Sequence, residues 1–217
     1  MEKKPKPSQK SDSGKFQFLA DAALAAGAVA AKIIPAGQVT IEDRVRLKCR
    51  SGCASYGKYL ACPPHAPTLE ESRAYLSGYQ YAVLVKFEST AFLDENIRFC
   101  LYRAQYDPRA EPAQKENVTQ FRQELSKDIR NINQIMLELE RSAFNAGYPF
   151  AVTTVCGSCD LCETCNTATG ICNHPTRRRF SSEALGINMV RTTRDAGIPI
   201  RFPSPNPPEQ VAILLID

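Results

Sequence analysis

Nine cysteines, eight of them gathered in two short runs, constrain this chain of 217 residues more than any other feature. The first run is Cys49-Arg-Ser-Gly-Cys53, followed by Cys62-Pro63-Pro64-His65 in a stretch rich in Gly and Pro. The second is Cys156-Gly-Ser-Cys159-Asp-Leu-Cys162-Glu-Thr-Cys165, followed by Cys172-Asn-His174-Pro175. An odd number of thiols cannot pair completely, and their share of about 4% is below the ~8% of a disulfide scaffold. The segment FLADAALAAGAVAAK superficially resembles a secretory signal, but Asp21 interrupts it and Ala dominates it, so an Ala-rich helix over residues 16–32 is the preferred reading. Without an export signal the expected location is cytoplasmic and reducing, which favours thiols kept for metal or redox chemistry over disulfides or a thiol-exchange pair.

Two intervening residues let consecutive thiolates reach one centre while the amides between them face the sulfurs. A zinc ribbon sets its two Cys-x-x-Cys knuckles roughly 12–20 residues apart, whereas only two residues separate Cys159 from Cys162. Cys159, Cys162 and Cys165 with the more distant Cys172 resemble bacterial ferredoxin ligation instead. They depart from it in having six rather than three residues before the fourth cysteine. In the first run, spacings of three and eight residues exclude the pattern of radical S-adenosylmethionine chemistry. Cys49, Cys53 and Cys62 need a fourth ligand; Cys156, the surplus member of the second run, is preferred, with His65 and Cys100 as alternatives. Cys100, alone in RFCLY, otherwise reads as a small buried hydrophobe. His65 and His174 read as supports for a ligand rather than ligands. Eight cysteines then divide into two sets of four, suited to two 4Fe-4S clusters, or to one cluster plus one zinc. The plainer reading is an architectural zinc centre that pins long loops.

The rest of the chain reads as a folded α/β protein. Hydrophobic residues make up 43% and charged residues 23%, which excludes disordered, collagen-like and coiled-coil classes. No uninterrupted apolar run reaches the ~18 residues of a membrane span. Residues 1–15 carry five Lys against Glu2 and Asp12, so +3 of the net +4 sits in a tail expected to be disordered, ahead of a domain over residues 16–217. The folded body is then nearly neutral, which argues against a nucleic-acid groove. Six Arg (177, 178, 179, 191, 194 and 201) face Glu183 and Asp195 between residues 173 and 201, either as a scattered solvated surface or as a basic neighbour that raises the potential of a cluster or guides an acidic partner.

Strands are expected at residues 45–48, 81–87, 150–155 and 211–216, the last three buried. Thr68 with Glu71 forms a capping box for a helix ending at Gly78. Apolar positions 118, 121, 125, 129, 132, 136, 139 and 143 mark one face of a long helix, with Asn117 as its cap and Gly147 and Pro149 as its stop. A further helix is expected from Ser182 to just before Gly197. Strands alternating with helices suggest right-handed crossovers and a single-domain α/β fold with a mostly parallel or mixed sheet, its cysteine-rich loops at one end.

The segments CRSGCASYGKYLACPPHAPTLEES and LERSAFNAGYPFAVTTVCGSCDLCETCNTATGICNHPTRRRFSSEALGINMV resemble a prokaryotic family of predicted metal-binding proteins, domain of unknown function 2284, over residues 20–217. The resemblance rests on the paired cysteine groups, the Cys-Pro-Pro turn, the Gly-x-Cys-x-x-Cys run and the later Glu-Ala-x-Gly-Ile segment. It implies metal binding in anaerobic or archaeal-type cytoplasmic metabolism, with Cys49, Cys53, Cys62, Cys159, Cys162, Cys165 and Cys172 as ligands and Cys156 outside the pattern. No Ser-His-Asp set, paired catalytic acids or dinucleotide fingerprint accompanies these residues. The expectation is therefore an iron-sulfur protein exchanging electrons with a larger redox enzyme. The alternatives are a zinc-stabilised interaction module and an enzyme that binds substrate at an incompletely ligated cluster.

Overall fold

Two long apolar strands, β2 (Tyr81–Glu88) and β4 (Glu209–Ile216), lie side by side at the centre of a four-stranded sheet. The computed structural model describes residues 13–101 and 107–217. β1 (Ala30–Pro35) flanks β2 and the two-residue β3 (Val152–Thr153) flanks β4, giving the order β1-β2-β4-β3. Among the described residues six helices surround the sheet: α1 (Gln17–Ala25), α2 (Asp43–Arg50), α3 (Leu69–Leu76), α4 (Glu95–Cys100), α5 (Pro112–Asn145) and α6 (Met189–Asp195). The proposed tail at residues 1–15 lies outside the described residues up to position 12. Residues 13–16 form a short 3-10 turn whose Phe16 is buried against Tyr81 and Tyr148.

The sheet is covered on both faces. Val83, Val85 and Phe87 of β2 with Ala212, Leu214 and Ile216 of β4 pack under α1 and the Ile132, Met136, Leu139 and Ala143 stripe of α5. The alternate residues, Ala82 and Leu84 with Val211, Ile213 and Leu215, pack under Leu76, Leu185, Ile187 and Met189. Each fully buried side chain of this kind contributes about 1.5–3 kcal/mol.

All pairings between the named strands are antiparallel, not mostly parallel or mixed as expected. Two physical reasons account for the difference. A sheet buried on both faces gives unbroken apolar runs whatever its strand direction, imitating a parallel sheet. And β2 and β3 do run the same way with α5 between them, but β4 inserts into the gap and pairs antiparallel with both, a split β-α-β arrangement.

The Thr68–Glu71 capping box is present, and α5 buries Val118, Phe121, Ile132, Met136, Leu139 and Ala143 of the expected stripe. α5 starts earlier than expected, at Pro112, behind a capping box of Glu111 with Gln114. Four other expectations are corrected. The Ala-rich helix stops at Ala25; Gly27 at φ 101° turns the chain, and Ala30–Pro35 becomes β1. Residues 45–48 lie inside α2, whose Arg46 donates to the carbonyls of Pro67 (2.7 Å) and Ala184 (2.5 Å). Only Val152–Thr153 of the 150–155 strand pairs with β4. The helix expected from Ser182 is divided by Gly186, at φ 78°, into the 3-10 turn Glu183–Leu185 and α6. Among the described residues no helix is long and apolar enough to cross a membrane.

Candidate metal centre

α2 carries Cys49 in its last turn, and Gly52 at φ 138° redirects the chain so that Cys53 follows in an exposed turn. The loop to Ala66 is held by its own backbone: the Gly57 amide donates to Pro63 O (2.8 Å), Cys62 to Tyr59 O (3.0 Å) and Ala66 to Cys62 O (3.1 Å). These bonds fix Cys62 as a buried thiol. Burial pushes the Cys62 thiol up to about 12, and negative charge on Cys53, Cys49, Cys159 and Cys165 adds to the effect. Burial also raises Cys49, with charge on Cys53 adding and Arg46 opposing. Cys49, Cys53 and Cys62 therefore share one neighbourhood, and Cys62 adjoins the second run as well.

The second run leaves the sheet just after β3, where the Val155 amide donates to Phe180 O at 3.0 Å. Cys159, Cys162, Cys165 and Cys172 line one small cavity, closed on the other side by Tyr59, Leu60 and Ala61 of the first loop. N–H groups address the sulfurs. The Leu60 amide donates to Cys165 Sγ (3.4 Å), the His174 amide to Cys172 Sγ (3.4 Å), and Asn173 Nδ2 to Cys162 Sγ (3.9 Å). Donors of this kind disperse thiolate charge and tune a metal-sulfur group. Burial raises the Cys159 thiol, an amide donor from Leu161 opposes it, and charge on Cys165, Cys172 and Cys162 adds to it. A metal or another cation near the sulfurs would be needed to hold them all ionised.

The other candidates lie elsewhere. Cys156 is 3% exposed inside the α1/α5 core, its amide accepted by Asn133 Oδ1 (3.1 Å) and its thiol directed at Val211 O (3.3 Å). Cys100 is buried with Ala110 and Val118 in a separate apolar cluster, and His65 is exposed. His174 meets the site through its backbone amide. Among the described residues no three His, Cys, Asp or Glu side chains converge on the distances of a single metal ion.

The arginine run divides by role. Arg179 is paired with Glu140 of α5, and Arg130 with Asp160 between the ligands (2.6 Å). Arg178 has no acidic partner among the described residues; it lines the four-cysteine cavity, donates to Leu60 O (3.1 Å) and stacks 5.1 Å from the Phe180 ring centre. Two residues escaped the sequence reading as parts of the site. Arg178 was hidden in a basic run that looked like solvated surface. Glu183 adds negative charge near Cys49; its only signal was the Glu-Ala-x-Gly-Ile segment.

Residues 32–216 match the model of the family described as predicted metal-binding protein (DUF2284), a span that takes in both cysteine runs, the helices and strands between them and Glu183. The chain belongs to this family. No curated protein and no solved structure matches it. For a DUF2284 chain the donor chemistry fits the metal of the family description: four thiols around one cavity, N–H donors aimed at their sulfurs, and three more thiols beside them. Soft thiolates of this number select zinc, copper(I) or iron-sulfur groups over magnesium or calcium.

Proposed function

We propose that this chain is an iron-sulfur protein in which Cys159, Cys162, Cys165 and Cys172 hold one 4Fe-4S cluster and Cys49, Cys53 and Cys62 hold a second. We propose that it transfers single electrons to or from a larger redox enzyme. When bound, such clusters store and release one electron each. The observation that carries the reading is that Cys159, Cys162, Cys165 and Cys172 wall a single cavity from one loop, with amide donors on their sulfurs. The polypeptide places Tyr59, Leu60 and Ala61 beside the thiols and supplies one cation, Arg178, against the negative charge of four thiolates. Cys62 feels the charge of thiols in both groups, which supports it as a point of contact between them.

Anaerobic purification followed by iron, sulfide and zinc quantification tests the proposal. Iron and acid-labile sulfide in equal amounts, with an EPR signal on dithionite reduction, support it; zinc without sulfide overturns it.

A further inference from the structure

A second cavity, of about 300 Å³, lies on the face of the sheet opposite α5, between α3, the β3 edge and residues 178–185. Its wall is mostly apolar, with Leu76, Tyr79, Phe180 and Leu215 among the side chains that form it. Of the polar side chains in that wall, which include Thr153, Thr154 and Arg179, two stand apart. Ser72, on α3, is 0% exposed, and its hydroxyl has no hydrogen-bond partner. A buried hydroxyl left unpaired is costly, and such groups recur where a ligand supplies the missing partner. Arg178 is the other. Its neighbour Arg179 is neutralised by Glu140, while Arg178 has no carboxylate among the described residues. An apolar cavity of this size with a few convergent polar groups is the usual form of a small-molecule site.

We infer that this cavity binds a small organic carboxylate with an apolar body, its carboxylate on Arg178 and its other end against the Ser72 hydroxyl. A planar guanidinium pairs with a carboxylate through two parallel N–H donors, and only one nitrogen of Arg178 is engaged, on Leu60 O. Arg178 lines both cavities, so the carboxylate site borders the four-cysteine site through one shared cation. The inference goes beyond the electron-transfer reading and does not depend on which metal the cysteines take.

The test is titration of the full chain, purified anaerobically, with sodium benzoate and separately with benzyl alcohol, followed by calorimetry. Benzoate is expected to bind at one site and benzyl alcohol at least tenfold more weakly. Arg178→Met should weaken benzoate at least tenfold, and Ser72→Leu, which fills the cavity away from the cysteines, should abolish binding. In the unmutated chain, benzoate should slow hydrogen exchange at residues 72–76 and 153–154, a readout that requires no variant to fold. No saturable benzoate binding, equal affinity for the alcohol, or protection confined to other segments would overturn the inference. Iron and sulfide counted on the same sample report on the cluster reading separately.

Discussion

The backbone amide of Leu60 donates to the sulfur of Cys165 at 3.4 Å, joining positions 105 residues apart in the chain. Arg178 Nη1 takes the carbonyl of the same residue at 3.1 Å, so both polar groups of Leu60 dock the first cysteine loop onto the second run. A typical hydrogen bond contributes about 0.5–1.5 kcal/mol. Cys165→Ala is therefore expected to speed hydrogen exchange at Leu60 and Cys62 by up to about tenfold, while the amides of β2 and β4 keep their rates. Unchanged exchange at Leu60 would show that Arg178 alone holds the loop.

Cys156 stands in the core where the sequence placed a candidate ligand. Burial raises its thiol far above the ordinary range, and its S–H has Val211 O as acceptor. Cys156→Ala is expected to leave the metal content unchanged while lowering stability by about 1–2 kcal/mol through the lost buried sulfur. Cys159→Ala is expected to do the reverse, with a marked drop in metal. Equal metal loss in the two variants, measured by elemental analysis, would make Cys156 a ligand after all.

Glu209 begins β4 with its side chain 1% exposed, 2.7 Å from Lys86 Nζ on β2 and 2.7 Å from Arg201 Nε. Burial pushes its carboxyl up, but Lys86 and Arg201 together bring it below the usual carboxylate value. A folded-state pKa below the unfolded one stabilises the fold above the unfolded value, and that contribution is lost as pH falls through the folded value. Glu209→Gln strands the largely buried Lys86 charge and is expected to cost about 3 kcal/mol at neutral pH. Urea unfolding should show the gap between the unmutated protein and the variant narrowing below about pH 4. A gap that stays constant with pH would exclude the ion pair as its source.

How much of this was legible beforehand follows from what each signal encodes. The α5 stripe and the Thr68–Glu71 box are local patterns, so their positions were readable from residue spacing alone. Strand direction is not local: β2 and β4 carry the same apolar run that a parallel pair would, and nothing in residues 209–216 announces insertion between β2 and β3. β1 was absorbed into an Ala-rich helix because Ala30 and Ala31 favour helix more than strand, and only pairing with Lys86 and Val85 overrides them. At the site, spacing groups Cys159, Cys162, Cys165 and Cys172, and the four line one cavity. Spacing could not place Cys156, because a residue at a strand end points into the core or out of it according to register. Arg178 was named only as one of a basic set; its contacts with Leu60 and Phe180, distant or unremarkable in sequence, were not readable.

Gly186 connects the fold to the first cysteine group, and its replacement is the most direct test of that link. It adopts φ +78°, and an added Cβ would meet Leu69 Cδ2 at 2.3 Å and Ile41 Cγ2 at 3.3 Å. Its carbonyl accepts the Glu42 amide at 2.9 Å, immediately before α2, the helix that carries Cys49. Gly186→Ala combines a left-handed backbone penalty of about 1–2 kcal/mol with displacement of Leu69, and is expected to lower Tm by about 4–8 °C. Pairing it with Leu69→Ala separates the two contributions: in that background the clash is gone, and only the backbone penalty should remain. Because the displaced segment abuts α2 and not residues 159–172, metal loss in Gly186→Ala should fall on the first cysteine group. Loss from the second group first, followed by EPR, would show instead that α2 is not what positions Cys49.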